Sequence, residues 1–91
     1  MSFADRYIAK KIKENPALKS EFEQEDLNLK ASILVRDMRD DLGMSQQEFS
    51  KYVGKPQSTI SRIESGSMNV TVGLLLEIAT AAHRRIKLVL V

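Results

Sequence analysis

The chain has 91 residues, of which 43% are hydrophobic and 29% are charged, with a formal net charge of +2 and no cysteine. This length suits one domain with a modest core, and the lack of cysteine excludes disulfides, zinc thiolate sites and a thiol nucleophile. The net charge neither requires nor forbids a nucleic-acid partner. The sequence has no run of 18 apolar residues and no signal peptide, so a cytoplasmic protein without membrane contact is expected.

The first 26 residues are predicted to form a helical arm. Ser2 and Asp5 make a capping pattern before a helix that Asn15-Pro16 stops, and an acidic stretch follows. Amphipathic helices with little core of their own need a surface to bury against, which indicates a docking strip for a protein partner. The alternative is a solvated arm packed weakly on the core. The predicted docking residues are Phe3, Tyr7, Ile8, Ile12, Leu18 and Phe22.

A helical pattern from about residue 27 to 42 supplies the first core face. Its apolar residues recur at spacings of three, four and seven, which is typical of a helix with one buried side. Gly43 then ends the helix, and Ser45 with Glu48 forms a capping box that opens the next one. The predicted core residues are Leu27, Ala31, Leu34, Val35, Met38 and Leu42.

Two short helices are predicted on either side of Gly54, within residues 45–65. The first carries an apolar stripe at i, i+3 and i+4, and the second has Ile60 and Ile63 three residues apart. Two helices joined by a short turn that contains glycine form the helix-turn-helix pattern, which binds DNA.

Polar residues of this motif have the side chains that DNA recognition uses. Glutamine pairs with adenine and arginine with guanine, while lysines and a helix N-terminus attract phosphate. Each residue taken alone is an ordinary exposed polar side chain, so the prediction depends on the set. The predicted DNA-binding residues are Gln46, Lys51, Lys55, Gln57, Ser58, Thr59, Ser61 and Arg62.

The last helix is predicted from residue 72 to 82, with Thr71 as its N-cap and Leu75, Leu76 and Ile78 on its core face. The end of the chain then alternates in a strand-like way. A lone strand has no partner, so pairing with the same strand of a second subunit is predicted, and a frayed tail is the alternative. The predicted dimerisation residues are Leu74, Ile86, Leu88 and Leu90.

The sequence gives little sign of catalysis. His83 is the only histidine, and it is better placed to end a helix than to shuttle protons. No catalytic residue, metal site or cofactor is predicted, and an enzyme is not expected.

Residues 44–66 resemble the helix-turn-helix of the lambda-repressor/Cro (XRE) family. The resemblance covers residues 31 to about 82, and it includes Gln46, Phe49, Gly54, the run Gln57–Glu64 and Gly66. It implies that Gln46 positions a phosphate, that residues 57, 58, 61 and 62 face the bases, and that Glu64 is tied to Arg36 or Arg39. One departure is Pro56, which replaces the usual Ser or Thr cap and forfeits about 1 kcal/mol.

The layout is also similar to the HigA-type antitoxins of toxin–antitoxin pairs, with Pro16, Phe22 and acidic residues ahead of the motif. This resemblance implies a small RelE/HigB-like ribonuclease toxin as partner. It also implies a homodimer that represses its own operon at a palindromic operator in double-stranded DNA. Two alternatives stay open. They are a phage-like repressor without a toxin, and an adaptor that kept the fold and lost DNA binding.

The expected fold is mainly α, a five-helix-type helix-turn-helix domain. The arm spans residues 1–26, the DNA-binding domain 27–82 with its motif at 45–65, and a dimerisation strand 83–91.

Overall fold

A computed structural model describes residues 6, 7, 13 and 18–89. Between residues 18 and 89 it contains four helices and no strand, which confirms a mainly helical fold. Outside these helices, Arg6, Tyr7 and Lys13 are also helical. A fifth helix is not shown among the described residues. The four helices are α1 (Leu18–Asp41), α2 (Gln46–Val53), α3 (Gln57–Ser65) and α4 (Val72–Ala81).

Helix α1 runs without a break for 24 residues. The sequence predicted two helical segments here, separated near residue 26, and this separation is wrong. The acidic residues 21–26 continue the same helix that carries the core residues Ala31 and Val35. Helix α1 contains neither Gly nor Pro, so no backbone conformation stops it. Lys30 also pairs with Asp26 one turn earlier, at 2.8 Å.

The core lies between α1 and the three shorter helices. Most predicted core residues are buried, but Leu34 and Leu76 are exposed, at 40% and 41%. Leu74, one of the predicted dimerisation residues, packs against this core. No helix in the described ranges has the length and apolarity to cross a membrane. The largest fully buried side chains are Phe49, Ile60, Ile63, Ile78, Val35 and Val70.

The segment after α4 does not form a strand within the single chain. His83 has a positive φ of 58°, and its N–H bonds to the carbonyl oxygen of Thr80 at 3.1 Å, which ends the helix as predicted. Residues 84–89 have no regular secondary structure. Ile86 packs against the core, whereas Leu88 is exposed. Pairing of this segment with a second subunit stays a prediction, and Leu90 lies outside the described residues.

Candidate nucleic-acid interface

Helices α2 and α3 are held in fixed orientation by apolar side chains that are fully buried between them. Phe49 of α2 and Ile60 and Ile63 of α3 have no exposed surface. Between the helices, Gly54 has φ +70°, and its N–H bonds to the carbonyl oxygen of Lys51. A residue with a side chain is strained in this left-handed conformation, so glycine allows the sharp turn that the motif requires.

The side of α3 away from the core carries the polar residues that the sequence predicted. Gln57, Ser58, Ser61 and Arg62 are exposed, and Thr59 is half-buried. Within residues 18–89, the side chain of Arg62 has no ion pair and no hydrogen bond. Its guanidinium is therefore available to a ligand, and guanine edges and phosphates are the groups that arginine binds best in DNA.

The start of α3 is defined by its backbone. Pro56 precedes the helix with φ −59° and provides no side-chain hydrogen bond. Its carbonyl oxygen instead accepts the N–H groups of Thr59 and Ile60, at 3.0 and 3.3 Å. The sequence predicted that α3 lacks a side-chain cap, and the structure confirms this. The helix nevertheless begins at Gln57.

The start of α2 is capped by the predicted box. The hydroxyl of Ser45 accepts the N–H of Glu48, and the Glu48 carboxylate accepts the N–H of Ser45, both at 3.1 Å. The hydrogen bond from the Ser45 backbone, with that involving its hydroxyl, lowers the pKa of Glu48. The box fixes the first turn, where Gln46 is half-buried, while Lys51 is exposed one turn later.

Lys55, predicted from the sequence to contact phosphate, already has a partner within the chain. Its ammonium group forms an ion pair with the carboxylate of Glu77 on α4. Of the two lysines predicted to contact phosphate, Lys51 is the exposed one and Lys55 is half-buried. To bind another anion, Lys55 has to give up this carboxylate partner.

A charged clamp holds the carboxyl-terminal part of α3 to α1. Arg39 donates from Nε and Nη2 to the two carboxylate oxygens of Glu64, at 3.0 and 2.8 Å. Arg36 lies 3.6 Å from the same carboxylate, and Arg39 also donates to the carbonyl oxygen of Met44. The Glu64 side chain is 2% exposed and that of Arg39 is 19% exposed. The hydrogen bonds to Glu64 raise the pKa of Arg39 against the opposing effect of burial. The predicted tie between Glu64 and α1 is therefore confirmed.

An amide network holds the loop that follows α3. The side-chain oxygen of Asn28 accepts the backbone N–H of Val70 at 2.9 Å and the amide of Gln24 at 2.7 Å. The Asn28 amide donates to the side-chain oxygen of Asn69 at 3.1 Å, and Gln24 also donates to the Val70 carbonyl. Both polar groups of the buried Val70 backbone thus have partners on α1.

The sequence did not identify this network or the partner of Lys55. One signal was present, because Asn28 is a polar residue between the core positions Leu27 and Ala31, and a buried amide requires partners. Its partner Asn69 is 41 residues away and depends on the tertiary fold. Glu77 gave no signal, since an exposed glutamate on a helix is ordinary.

The residues predicted to dock a protein lie mostly beyond these contacts. Phe3, Ile8 and Ile12 lie outside the described residues, and Tyr7 is exposed. Leu18 is the first residue of α1, while Phe22 is half-buried. The docking strip therefore stays a prediction. The described residues contain no cluster of His, Cys, Asp and Glu that could hold a metal ion.

Comparison with known families identifies the same motif. A helix-turn-helix family, HTH_3, matches residues 35–85, which is more than half of the chain. Searches of curated proteins and of solved structures find no match. The matched range begins inside α1 and includes α2, α3 and α4, so it contains the whole motif together with its charged clamp. The chain belongs to this XRE-type helix-turn-helix family of DNA-binding transcription regulators.

Proposed function

We propose that the protein is a dimeric repressor that inserts α3 into the major groove, and that it is the antitoxin of a toxin–antitoxin pair. The observation that carries the DNA part is the exposed row Gln57, Ser58, Ser61 and Arg62 on a helix with a buried opposite side. These side chains have the hydrogen-bonding groups that read base edges. Gln46 and Lys51 on α2 add contacts to DNA phosphates.

The dimer is proposed from the apolar residues that follow α4. The exposed Leu88 and the alternating sequence around it favour pairing with a second copy, together with Ile86 and Leu90. A twofold dimer predicts a palindromic operator whose half-sites are about one helical turn, ~34 Å, or a multiple of it, apart. Leu74 packs against the core of its own chain, so its part in the interface is the smallest of the four.

Arg62→Ala tests the DNA-binding surface. It should weaken binding to the operator by roughly 1–3 kcal/mol and relax specificity at one base position, because one base contact is lost. Fluorescence anisotropy with the protein's own upstream promoter, compared with a scrambled duplex, measures both effects. Arg84→Ala is the matched control, since Arg84 is also exposed but lies after α4.

Two results would count against this surface. One is an Arg62→Ala variant with unchanged affinities for operator and scrambled DNA. The other is a wild-type protein without salt-dependent DNA binding, which favours the adaptor alternative, because any protein that neutralises phosphates loses affinity as salt rises.

The antitoxin part is supported by the apolar residues of the predicted arm ahead of the motif. The partner proposed is a small RelE/HigB-like ribonuclease toxin, docked through Phe3, Tyr7, Ile8, Ile12, Leu18 and Phe22. Expression of the reading frame adjacent to this one should arrest growth, and co-expression of this chain should relieve the arrest. Phe22→Ser should weaken that relief while leaving operator binding intact. An adjacent product that has no effect on growth favours the repressor without a toxin.

A further inference from the structure

An apolar groove lies between α1, α4 and the segment that follows α4. It has a volume of about 310 Å³, and seven of its nine lining residues are apolar. Leu27 and Leu34 line it from α1, Val72 and Leu75 line it from α4, and residues 86–89 complete it. A surface of this composition resembles the centre of a protein–protein interface, which is depleted of charged residues.

Large apolar side chains around the groove are in contact with water. Leu88 and Val89 are each 68% exposed, and Leu34 and Val72 are 40% and 39% exposed. Leu76, which is 41% exposed, lies one turn beyond Val72 on the same side of α4, so it extends this apolar area. Single apolar residues at a surface are ordinary, but a continuous apolar area indicates a contact with another molecule.

The segment after α4 also has unpaired backbone groups. The N–H of Arg84 bonds to the carbonyl oxygen of Ala79 at 2.7 Å, and from there to residue 89 no further backbone hydrogen bond is found. A row of unpaired N–H and C=O groups can accept a strand of another chain.

Pairing of this segment alone is too small for a stable dimer. A stable interface buries about 800 Å² on each partner and takes about 20–30 residues from each. Residues 84–89 supply only six. The groove adds residues of α1 and α4 directly beside the segment, so an interface that buries both comes closer to the required area.

The surface formed by the groove and the segment is complementary to itself. It has a projecting apolar pair, Leu88 and Val89, beside a groove that is open to solvent. A cavity of about 150 Å³ holds one benzene molecule, so the volume of the groove suits two side chains of similar size. A twofold axis brings the same surface of two copies together, and the projecting pair of each copy then meets the groove of the other.

The charges at the groove are compatible with such a contact. Lys30 and Lys87 are its two charged lining residues, and Lys30 is already paired with Asp26, at 2.8 Å. Lys87 is exposed and has no ion pair among the described residues. Each copy therefore brings one unpaired charge to the contact, and it lies on the exposed segment, where the rim of an interface stays solvated.

We propose that the groove between α1 and α4 is the docking site for a second copy of the chain. Leu88 and Val89 of each copy fill the groove of the other, while the two copies of residues 84–89 pair as antiparallel strands. This inference rests on the dimer of the proposed function and adds the surface by which each copy holds the other. Leu34, which the sequence predicted to be a core residue, is then a core residue of the dimer.

Sedimentation equilibrium of the full chain at several concentrations tests the proposal. Leu34→Lys should raise the dissociation constant of the dimer roughly tenfold or more, because it places a charge beside Lys30 and Lys87 in a surface that dimerisation removes from water. Lysine is a good helix former, so α1 should keep its structure, which circular dichroism checks.

Leu29→Lys is the matched control. Leu29 is 60% exposed on the same helix, but it lies beside Ser65 and Gly66 rather than at the groove. The same substitution at this position should leave the dissociation constant unchanged. Equal weakening by the two variants would overturn the proposal, because the effect would then not depend on the groove.

Two further outcomes separate the groove from the proposed function. A wild-type dimer that Leu34→Lys does not weaken overturns the groove and leaves the dimer of the proposed function intact. A wild-type chain that stays monomeric at every concentration overturns both the groove and that dimer.

A second measurement on the wild type applies even if Leu34→Lys does not fold. In a sample that mixes isotope-labelled and unlabelled chains, nuclear Overhauser contacts should join the methyl groups of Leu88 in one chain to those of Leu34 or Val72 in the other. A dimer without these contacts between chains overturns the proposal, because the second copy then lies on another surface.

Discussion

The two places where α1 holds the recognition helix α3 and its loop differ in chemistry. Near its carboxyl end, Arg39 grips Glu64 through two charge-assisted hydrogen bonds. Three turns earlier, Asn28 and Gln24 bind the loop after α3 through hydrogen bonds of their neutral amides. Both contacts fix the carboxyl-terminal side of α3, which leaves its exposed row free for a ligand.

The chemistry of each contact matches the group that α1 binds. Glu64 is a side chain with two oxygens, so the planar guanidinium of Arg39 fits it with parallel hydrogen bonds. The Val70 backbone presents one donor and one acceptor, and the amides of Asn28 and Gln24 supply the complementary pair. The charged contact should be the more costly to break, because it leaves an unpaired ion in a partly buried place.

Glu64→Ala should have the largest effect on stability. Removing one partner of a buried ion pair leaves the other uncompensated, and the free energy of unfolding should fall by roughly 3–5 kcal/mol. Urea unfolding followed by circular dichroism measures this change. Glu64→Gln is the matched variant, since it keeps the shape and can still accept one hydrogen bond from Arg39, so its loss should be smaller. Equal losses in the two variants would mean that the charge of Glu64, rather than the shape of its side chain, dominates the clamp.

Asn28→Ala should come second. The buried N–H of Val70 loses its acceptor, which costs about 1–3 kcal/mol in the free energy of unfolding. Asn28→Asp is the matched control, because the carboxylate still accepts the Val70 N–H while the bond to Asn69 is lost. A loss for Asn28→Ala as large as that for Glu64→Ala, in the same urea experiment, would remove the distinction between charged and neutral anchors.

The ion pair between Lys55 and Glu77 at the surface should contribute the least of the three contacts. Surface ion pairs contribute about 0–1 kcal/mol, so Glu77→Gln should change the free energy of unfolding little. Its effect should appear in DNA binding, because the released Lys55 can neutralise a phosphate. The slope of log affinity against log salt should steepen by about 1 for each bound chain. An unchanged slope would show that Lys55 lies too far from the phosphates to take part, and Lys51→Gln is the comparison for an exposed lysine.

Patterns within a few residues of the sequence predicted the caps, the turn and the exposed side of α3. The capping box at Ser45, the left-handed turn at Gly54 and the exposed polar row of α3 follow from spacing within a few residues. The continuous α1 was missed because the acidic stretch of residues 21–26 looked like a boundary, although glutamate is a good helix former. The exposure of Leu34 and Leu76 was missed because helical spacing shows which side of a helix is apolar. It does not show how much of that side the neighbouring helices bury.

In the candidate site too, the sequence predicted local features but not the contacts between distant residues. The polar row of α3 and the tie to Glu64 could be proposed from the sequence and the resemblance. The ion pair between Lys55 and Glu77, and the bond between Asn28 and Asn69, join residues that are distant in the chain. Such contacts depend on how the helices pack, which periodicity does not specify.

The unbroken course of α1 has a mechanical consequence. From Phe22 to Arg39 the helix spans about 26 Å at 1.5 Å per residue, without Gly or Pro to act as a hinge. A force at its first turns therefore tilts the whole rod, and a tilt of about 5° moves the far end by about 2 Å over this length. Arg39 attaches the rod to α3, and Asn28 attaches it to the loop that follows α3, so the tilt moves both with it. The orientation of the exposed polar row of α3 is thus coupled to the opposite end of α1.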